Sequence, residues 1–382
     1  MQSKGTIIYV GGFEMPDKNA AAHRVLNNAK VFSSLGYHVV FCGVDRDIAA
    51  SFAEPISMGQ FENVPAAYPK CGKEWVKYLI NFQHIKKTFS QYSNVKFAIA
   101  YNMHAVPLAK LMKYCKRKGI KLIADVTEWY ENRFSITPIK FVKWVDTAVV
   151  MRVLQKRVDG MIAISTYLER YYKRHVSNIV VVPPLVDITD EKWHQKVEKD
   201  TSYVEFVYSG SPGTDKDKIG LIVESFCNIK TEKPYRFRVI GITEEQFLQM
   251  YPNQKECLDI LNDKIEFCGR VSHPESIAAL LRADYCIFIR DRSRKNMAGF
   301  PTKFVECVTS GVGIIANDVS DIRQYFPKED GYYIISDVES DSIQKVINII
   351  LQGNVRTNKL NGIFDFREKQ EQFSQILTLK EQ

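Results

Sequence analysis

Short apolar runs rich in Val and Ile, each followed by a stretch of helical period, recur along nearly the whole chain and leave few folds open to it. The series runs TIIYVGGF (6–13), HVVFCGV (38–44), VKFAIAYN (95–102), KLIADV (121–126), GMIAIS (160–165) and NIVVVPPL (178–185). None shows the polar–apolar alternation of a half-exposed strand, so each reads as a strand buried on both faces, in a parallel sheet with crossover helices. Pro183, Pro184 and the polar segment 187–202 break the rhythm. It then restarts with YVEFVYSGSP (203–212), FRVIGI (237–242), KIEFCGRV (264–271), YCIFIRD (285–291), GIIAND (313–318) and YYIIS (332–336). A chain of 382 residues suits two domains of about 150–200 residues. The reading is α/β, with Rossmann-like domains at 1–186 and 200–360 and a terminal helix at 361–382.

Charge and cysteine usage narrow the partners. The eight cysteines include no C-x-x-C spacing, so they read as reduced cytosolic thiols rather than a zinc site or disulfide framework. The first residues lead straight into a strand-like run, without a signal-peptide pattern or a spanning stretch. A net charge of +8 admits nucleic acid, phosphorylated small molecules or an acidic membrane face. Its placement favours the last two: Lys110, Lys113, Lys116, Arg117, Lys118 and Lys121 fall in one amphipathic segment without an acid. A second stretch, Ile139 to Val158, sets Lys140, Lys143, Arg152, Lys156 and Arg157 among Phe141, Trp144 and several valines. Basic helices with an aromatic apolar face suit weak binding to an anionic membrane, although solvated outer faces of crossover helices have the same composition. No nucleic-acid partner is expected.

The run AGFPTKFVECVTSG (298–311) places an amide-rich turn before an amphipathic helix bearing one acid, Glu306. Gly299, Phe300, Pro301 and Thr302 form the turn, and Lys303 adds a charge in the first helical turn, an arrangement suited to holding a phosphate. The run resembles the C-terminal signature of the GT-B glycosyltransferases of the GT4 family, in which a Glu, a Gly-Phe-Gly-like turn and a second Glu eight residues later bind the sugar and ribose of a nucleotide-sugar. Here the first acid is replaced by Ala298. The resemblance implies two Rossmann-like domains facing a central cleft, with the last helix returning to brace the first domain. It also implies retaining, metal-independent transfer from a nucleoside-diphosphate sugar to a glycan or lipid-linked acceptor, in surface polysaccharide or glycolipid assembly at the cytoplasmic membrane face.

By that resemblance Glu306 accepts hydrogen bonds from ribose hydroxyls, and Gly269, Arg270 and Val271 cup the nucleobase. Lys216 matches the diphosphate lysine, with Lys218 serving in a shifted register. Gly210, Ser211 and Gly213 precede a helix in the same loop, where amides and a fixed lysine stabilise charge on a leaving diphosphate. No Asp-x-Asp pair suited to a diphosphate-bound metal is read, so no metal is expected. In the first domain Gly11 and Gly12 let backbone approach a substrate, and with Arg24 they take the family's acceptor and diphosphate role. Neither glycine loop satisfies G-x-G-x-x-G, which argues against a dinucleotide enzyme. Asp125 and Glu128 stand at a strand end, where carboxylates can orient or deprotonate an acceptor hydroxyl; a helix N-cap at Asp125 or Thr127 is the competing reading. His104 reads as structural. Two rival functions remain: a GT-B fold nucleotide-sugar epimerase, and a non-catalytic nucleotide-sugar-binding protein.

Overall fold

The computed structural model describes residues 3–16, 18–49, 54–130, 137–210, 212, 217–353 and 358–378. The chain divides into two compact units: Met1–Val186 with Asp365–Gln382, and Asp187–Phe364. The segment read from sequence as a linker belongs to the second unit, where Trp193 is buried at the end of a short 3-10 turn.

The first unit holds β1 (Thr6–Gly11), β2 (His38–Cys42), β3 (Val44–Asp45), β4 (Ile56–Met58), β5 (Phe61–Asn63), β6 (Ala66–Ala67), β7 (Val95–Tyr101), β8 (Lys121–Val126), β9 (Gly160–Ala163) and β10 (Ile179–Val181). Eight of these form one sheet in the order β10-β9-β8-β7-β1-β2-β5-β4, parallel except for the β4–β5 edge pair, while β3 and β6 pair separately. β1 pairs with both β2 and β7, so the strand order reverses beside β1. Such a switch point leaves a crevice at the strand C-termini. A Cβ on Gly11 would lie 1.9 Å from the Tyr101 carbonyl oxygen, so only glycine fits where β1 ends beside β7. The helix Ala20–Ser34 covers one face of this sheet, and the terminal helix Gln370–Leu377 packs on it through Phe32 and Phe373, whose rings stand 4.8 Å apart.

The second unit holds β11 (Val204–Ser209), β12 (Tyr235–Ile240), β13 (Ile265–Gly269), β14 (Tyr285–Phe288), β15 (Gly313–Asn317) and β16 (Tyr332–Ile335). They form one fully parallel sheet in the order β13-β12-β11-β14-β15-β16. Numbered from β11, this is the 3-2-1-4-5-6 order of a dinucleotide-type sheet, with its switch point between β11 and β14. Local sequence sets its helices: Ser272 and Glu275 form a reciprocal capping box at the start of His273–Arg282, with Pro274 in the first turn.

Candidate functional site

At the switch point of the second sheet Tyr208 of β11, Asp217, Arg290 just past β14 and Lys303 in the first turn of the helix Thr302–Ser310 come together. Asp217 is fully buried; its Oδ1 accepts from Arg290 Nε at 2.6 Å and its Oδ2 from the Tyr208 hydroxyl at 2.7 Å. Lys303 Nζ donates to the same Oδ2 and lies 3.8 Å from the centre of the Tyr208 ring. Arg290 is fixed through its backbone, its N–H donating to Asn317 Oδ1 at 2.9 Å and its carbonyl accepting from Asn317 Nδ2 at 2.8 Å. Gly210 closes the cluster at φ +128, where an added Cβ would stand 2.4 Å from Lys303 Cε. That position demands glycine on both counts.

The electrostatics follow from burial. Burial alone would raise the Asp217 carboxyl, but Lys303 and Arg290 outweigh it and hold it below the usual carboxylate range. Burial pushes the Lys303 ammonium down to about 8, with Asp217 opposing the shift and Arg290 adding to it. The Tyr208 phenol is raised by burial and then by Asp217, so it remains a neutral donor. Two cations against one carboxylate leave the cluster with a net charge of +1 at neutral pH.

One helical turn beyond Lys303 on Thr302–Ser310, Glu306 is half-buried, with Oε1 3.2 Å from Nε2 of His273 on the neighbouring helix His273–Arg282. β13 ends at Gly269, which is buried, while Arg270 is exposed and Val271 half-buried just before the Ser272 cap. Gly299 follows the helix Arg294–Ala298, and Pro301 stands at the N-cap position of Thr302–Ser310, with Thr302 exposed.

Several sequence readings change. The Phe300 side chain is not presented to a ligand: it packs in the core against Phe304, Tyr325 and Phe364. Lys303 is not a free phosphate cation, because Asp217 holds it. Lys218 is half-exposed and pairs with Asp291 at 2.9 Å. Ser211, Gly213 and Lys216 lie outside the described residues. Asp-x-Asp runs do occur, at 45–47 and 215–217. Asp45 and Asp47 both engage Lys18, at 3.3 and 2.5 Å, and Asp217 is taken by its two cations. Asp215 lies outside the described residues.

In the first unit Asp125 does not face an acceptor. It is fully buried, 2.8 Å from Arg24 Nη2, and also accepts from Arg24 Nε, the Tyr9 hydroxyl and Asn28 Nδ2. Arg24 is equally buried, and its Nη1 donates to the Val182 carbonyl at 3.0 Å; it is neither a surface charge nor a ligand for diphosphate. Glu128 is exposed, and residues 127–130 are non-helical, which removes the N-cap reading of Asp125 and Thr127. Gly11, Gly12 and His104 do line one cavity, of about 440 Å3, at the C-terminal ends of β1 and β2. His104 Nδ1 is 2.8 Å from Asp146, whose other oxygen accepts from the Ala105 N–H, so the pair fixes the start of the helix Ala105–Lys118.

Sequence reasoning passed over Tyr208, Asp217, His273, Arg290 and Asn317. Arg290 and Asn317 had a signal, since Asn317 ends β15 and Arg290 follows β14 by two residues, on the side where open α/β sheets bind ligands.

A model of the family described as "Glycosyl transferases group 1" matches residues 204–352. No curated protein sequence matches the chain. Among solved structures, sucrose-phosphate synthase from Thermosynechococcus elongatus is similar at 13% identity over 98% of each chain, with a TM-score of 0.71. HepE of Anabaena, solved in complex with UDP, is similar at 12% identity over 98% of this chain and 99% of that one, with a TM-score of 0.63. The lipopolysaccharide outer core galactosyltransferase WaaB is similar at 14% identity over 97% and 99%, with a TM-score of 0.60. The chain thus has the GT-B fold, in two α/β units, and its second unit carries the match to the group 1 glycosyl transferases.

Proposed function

We propose that the chain is a retaining glycosyltransferase of the GT4 type, moving a hexose from a nucleoside-diphosphate sugar to a glycan or lipid-linked acceptor in surface polysaccharide or glycolipid synthesis. The observation that carries the reading is the Lys303–Asp217–Arg290 cluster at the switch point, one helical turn from the half-buried acceptor Glu306, within the segment that matches group 1 glycosyl transferases. A net positive, partly dry site at strand C-termini favours a diphosphate, and a carboxylate beside it favours ribose hydroxyls. That HepE is described in complex with UDP supports a uridine nucleotide among the candidates. In this reading Lys216 and loop amides carry the leaving-group charge without a divalent metal. The protein works at the cytoplasmic face of a membrane, to which its first unit docks weakly.

Glu306→Ala is expected to weaken binding of the nucleoside diphosphate about tenfold or more, the worth of charge-assisted hydrogen bonds of roughly 1.5–3 kcal/mol. Lys216→Ala is expected to do the same. Calorimetry with UDP, GDP, ADP and CMP, in chelator and again with magnesium, checks both and the metal independence together. Unchanged affinity in both folded variants rejects the site.

Binding is also expected to depend on pH through Lys303. Below a pKa of about 8 the lysine is charged and the cluster net positive; above it the cluster is neutral and attracts a diphosphate less. Affinity for UDP should therefore fall several-fold between about pH 7 and pH 9. An affinity constant across that range removes Lys303 from the binding electrostatics.

Ala298 favours a second reading, nucleotide-sugar binding without turnover. Its side chain is fully buried at the end of Arg294–Ala298, and no carboxylate stands at that position. Incubating one donor with and without acceptor, then identifying the sugar products, separates transfer, rearrangement and binding alone.

A further inference from the structure

The segment joining β14 to the helix Thr302–Ser310 carries more positive charge than the buried cluster uses. Between Arg290 and Glu306 stand Arg292, Arg294, Lys295 and Lys303 against a single acid, Asp291. Asp291 is engaged by Lys218 at 2.9 Å, and Asp217 holds both Arg290 and Lys303. Residues 292–295 therefore contribute three formal positive charges, with no acid among them, at the end of the sheet where β14 stops.

This stretch is pinned from both sides. The Ile289 carbonyl accepts from the Lys218 N–H at 2.8 Å, and Asp217 and Arg290 form an antiparallel backbone bridge. Asn296 is buried, and its Nδ2 donates to the Asp291 carbonyl at 2.9 Å while its N–H is capped by Ser293 Oγ at 3.3 Å. Further on, the Ser320 hydroxyl donates to the Gly299 carbonyl, and the Ser320 N–H donates to Met297 Sδ at 3.4 Å. Residues 292–295 form a consecutive exposed run on this arch, whereas Asn296, Ala298 and Phe300 are buried. Local helix energetics do not account for the cations: Arg292 precedes the helix Arg294–Ala298 and Arg294 opens it, where the dipole does not favour positive charge.

We infer that the donor sugar is a hexuronic acid, its carboxylate held by Arg292 and Lys295. The inference rests on the donor site proposed above and names the class of sugar that site takes. A neutral hexose presents hydroxyls, for which a carboxylate is the suited acceptor; the one acid of this stretch is occupied, and Ala298, at the position of the missing acid, is fully buried. A carboxylate at 298 would repel a sugar that carries its own. A guanidinium and an ammonium on a fixed backbone are its complement, the planar fork of Arg292 matching both carboxylate oxygens.

The test is calorimetry of the full chain with donors that differ only at the sixth carbon of the sugar. UDP-glucose is compared with UDP-glucuronate and GDP-mannose with GDP-mannuronate, with UDP and GDP alone as controls. For the base that binds, the acidic donor should bind about tenfold or more tighter than the neutral one, and the margin should shrink at high salt because both cations are exposed. Arg292→Gln with Lys295→Gln should abolish the margin while leaving the melting temperature and the affinities for the nucleoside diphosphate and the neutral donor unchanged. Equal affinity within a pair, or preference for the neutral donor, would overturn the proposal. So would a double variant that loses the bare nucleotide as much as the acidic donor, since the two cations would then serve the diphosphate. Binding of neither UDP nor GDP would instead reject the donor site itself, and the proposal with it.

Discussion

Asp217→Ala is expected to lower the stability of the second unit by about 3–5 kcal/mol, the cost of removing one partner from a buried ion pair. The magnitude follows from what remains. Without its carboxylate Lys303, already pushed down to about 8, becomes still easier to deprotonate and can escape its penalty as a neutral amine. Arg290 has no such route, because a guanidinium does not deprotonate in a protein and this one is almost fully buried. The uncompensated charge therefore sits on Arg290. The melting transition of the second unit should drop by roughly 10 °C. Adding Arg290→Met should recover part of the loss, since removing both members of a buried pair costs less than orphaning one. Asp217→Ala melting like the wild type, or a double variant no better than the single one, would mean that the cluster is not closed as described.

The same residues show how far the sequence could be read. Both α/β units, the parallel character of their sheets and the placement of Glu306 and Lys303 on a helix start follow from local pattern, because fully buried parallel strands and an amide-rich turn have local signatures. The ion-pair partners do not. Asp217 stands in a polar loop beside Lys218, and its partners Arg290 and Lys303 lie 73 and 86 residues away. Nothing local distinguishes it from a solvated carboxylate. Phe300 fails for a related reason: a turn residue between Gly299 and Pro301 looks available to a ligand, yet its ring is drawn into a cluster with Phe304, Tyr325 and Phe364, the last from a distant segment. The helix Ala20–Ser34 hides its polar groups in the same way: Arg24, Asn27 and Asn28 face inward, where Asn27 Nδ2 donates to the Leu185 carbonyl at 2.9 Å and Asn28 to Asp125.

Asp125→Ala is expected to destabilise the first unit by about 3–5 kcal/mol and to leave nucleotide binding by the second unit intact. Asp125 is the shared acceptor of a buried network. Arg24 reaches it with Nε and Nη2, Tyr9 donates its hydroxyl, and Asn28 donates both to Tyr9 at 3.1 Å and to Asp125 at 3.2 Å. Through Arg24 Nη1 and the Val182 carbonyl the network also ties Ala20–Ser34 to the segment after β10. Burial raises the Tyr9 phenol and Asp125 raises it further, so Tyr9 stays a donor throughout the physiological range. Removing the carboxylate thus orphans a guanidinium that is 4% exposed and cannot neutralise itself. Asp125→Asn keeps the shape and an acceptor oxygen but loses the charge, and should fall between wild type and alanine. The two roles read from sequence and from structure part company in kinetics. A residue that orients or deprotonates an acceptor lowers kcat in the folded variant, whereas a structural anchor lowers the melting temperature and leaves kcat of the folded fraction near wild type. Asp125→Asn with wild-type stability and sharply reduced turnover would restore Asp125 to the reacting groups and displace the network as its reason for being there.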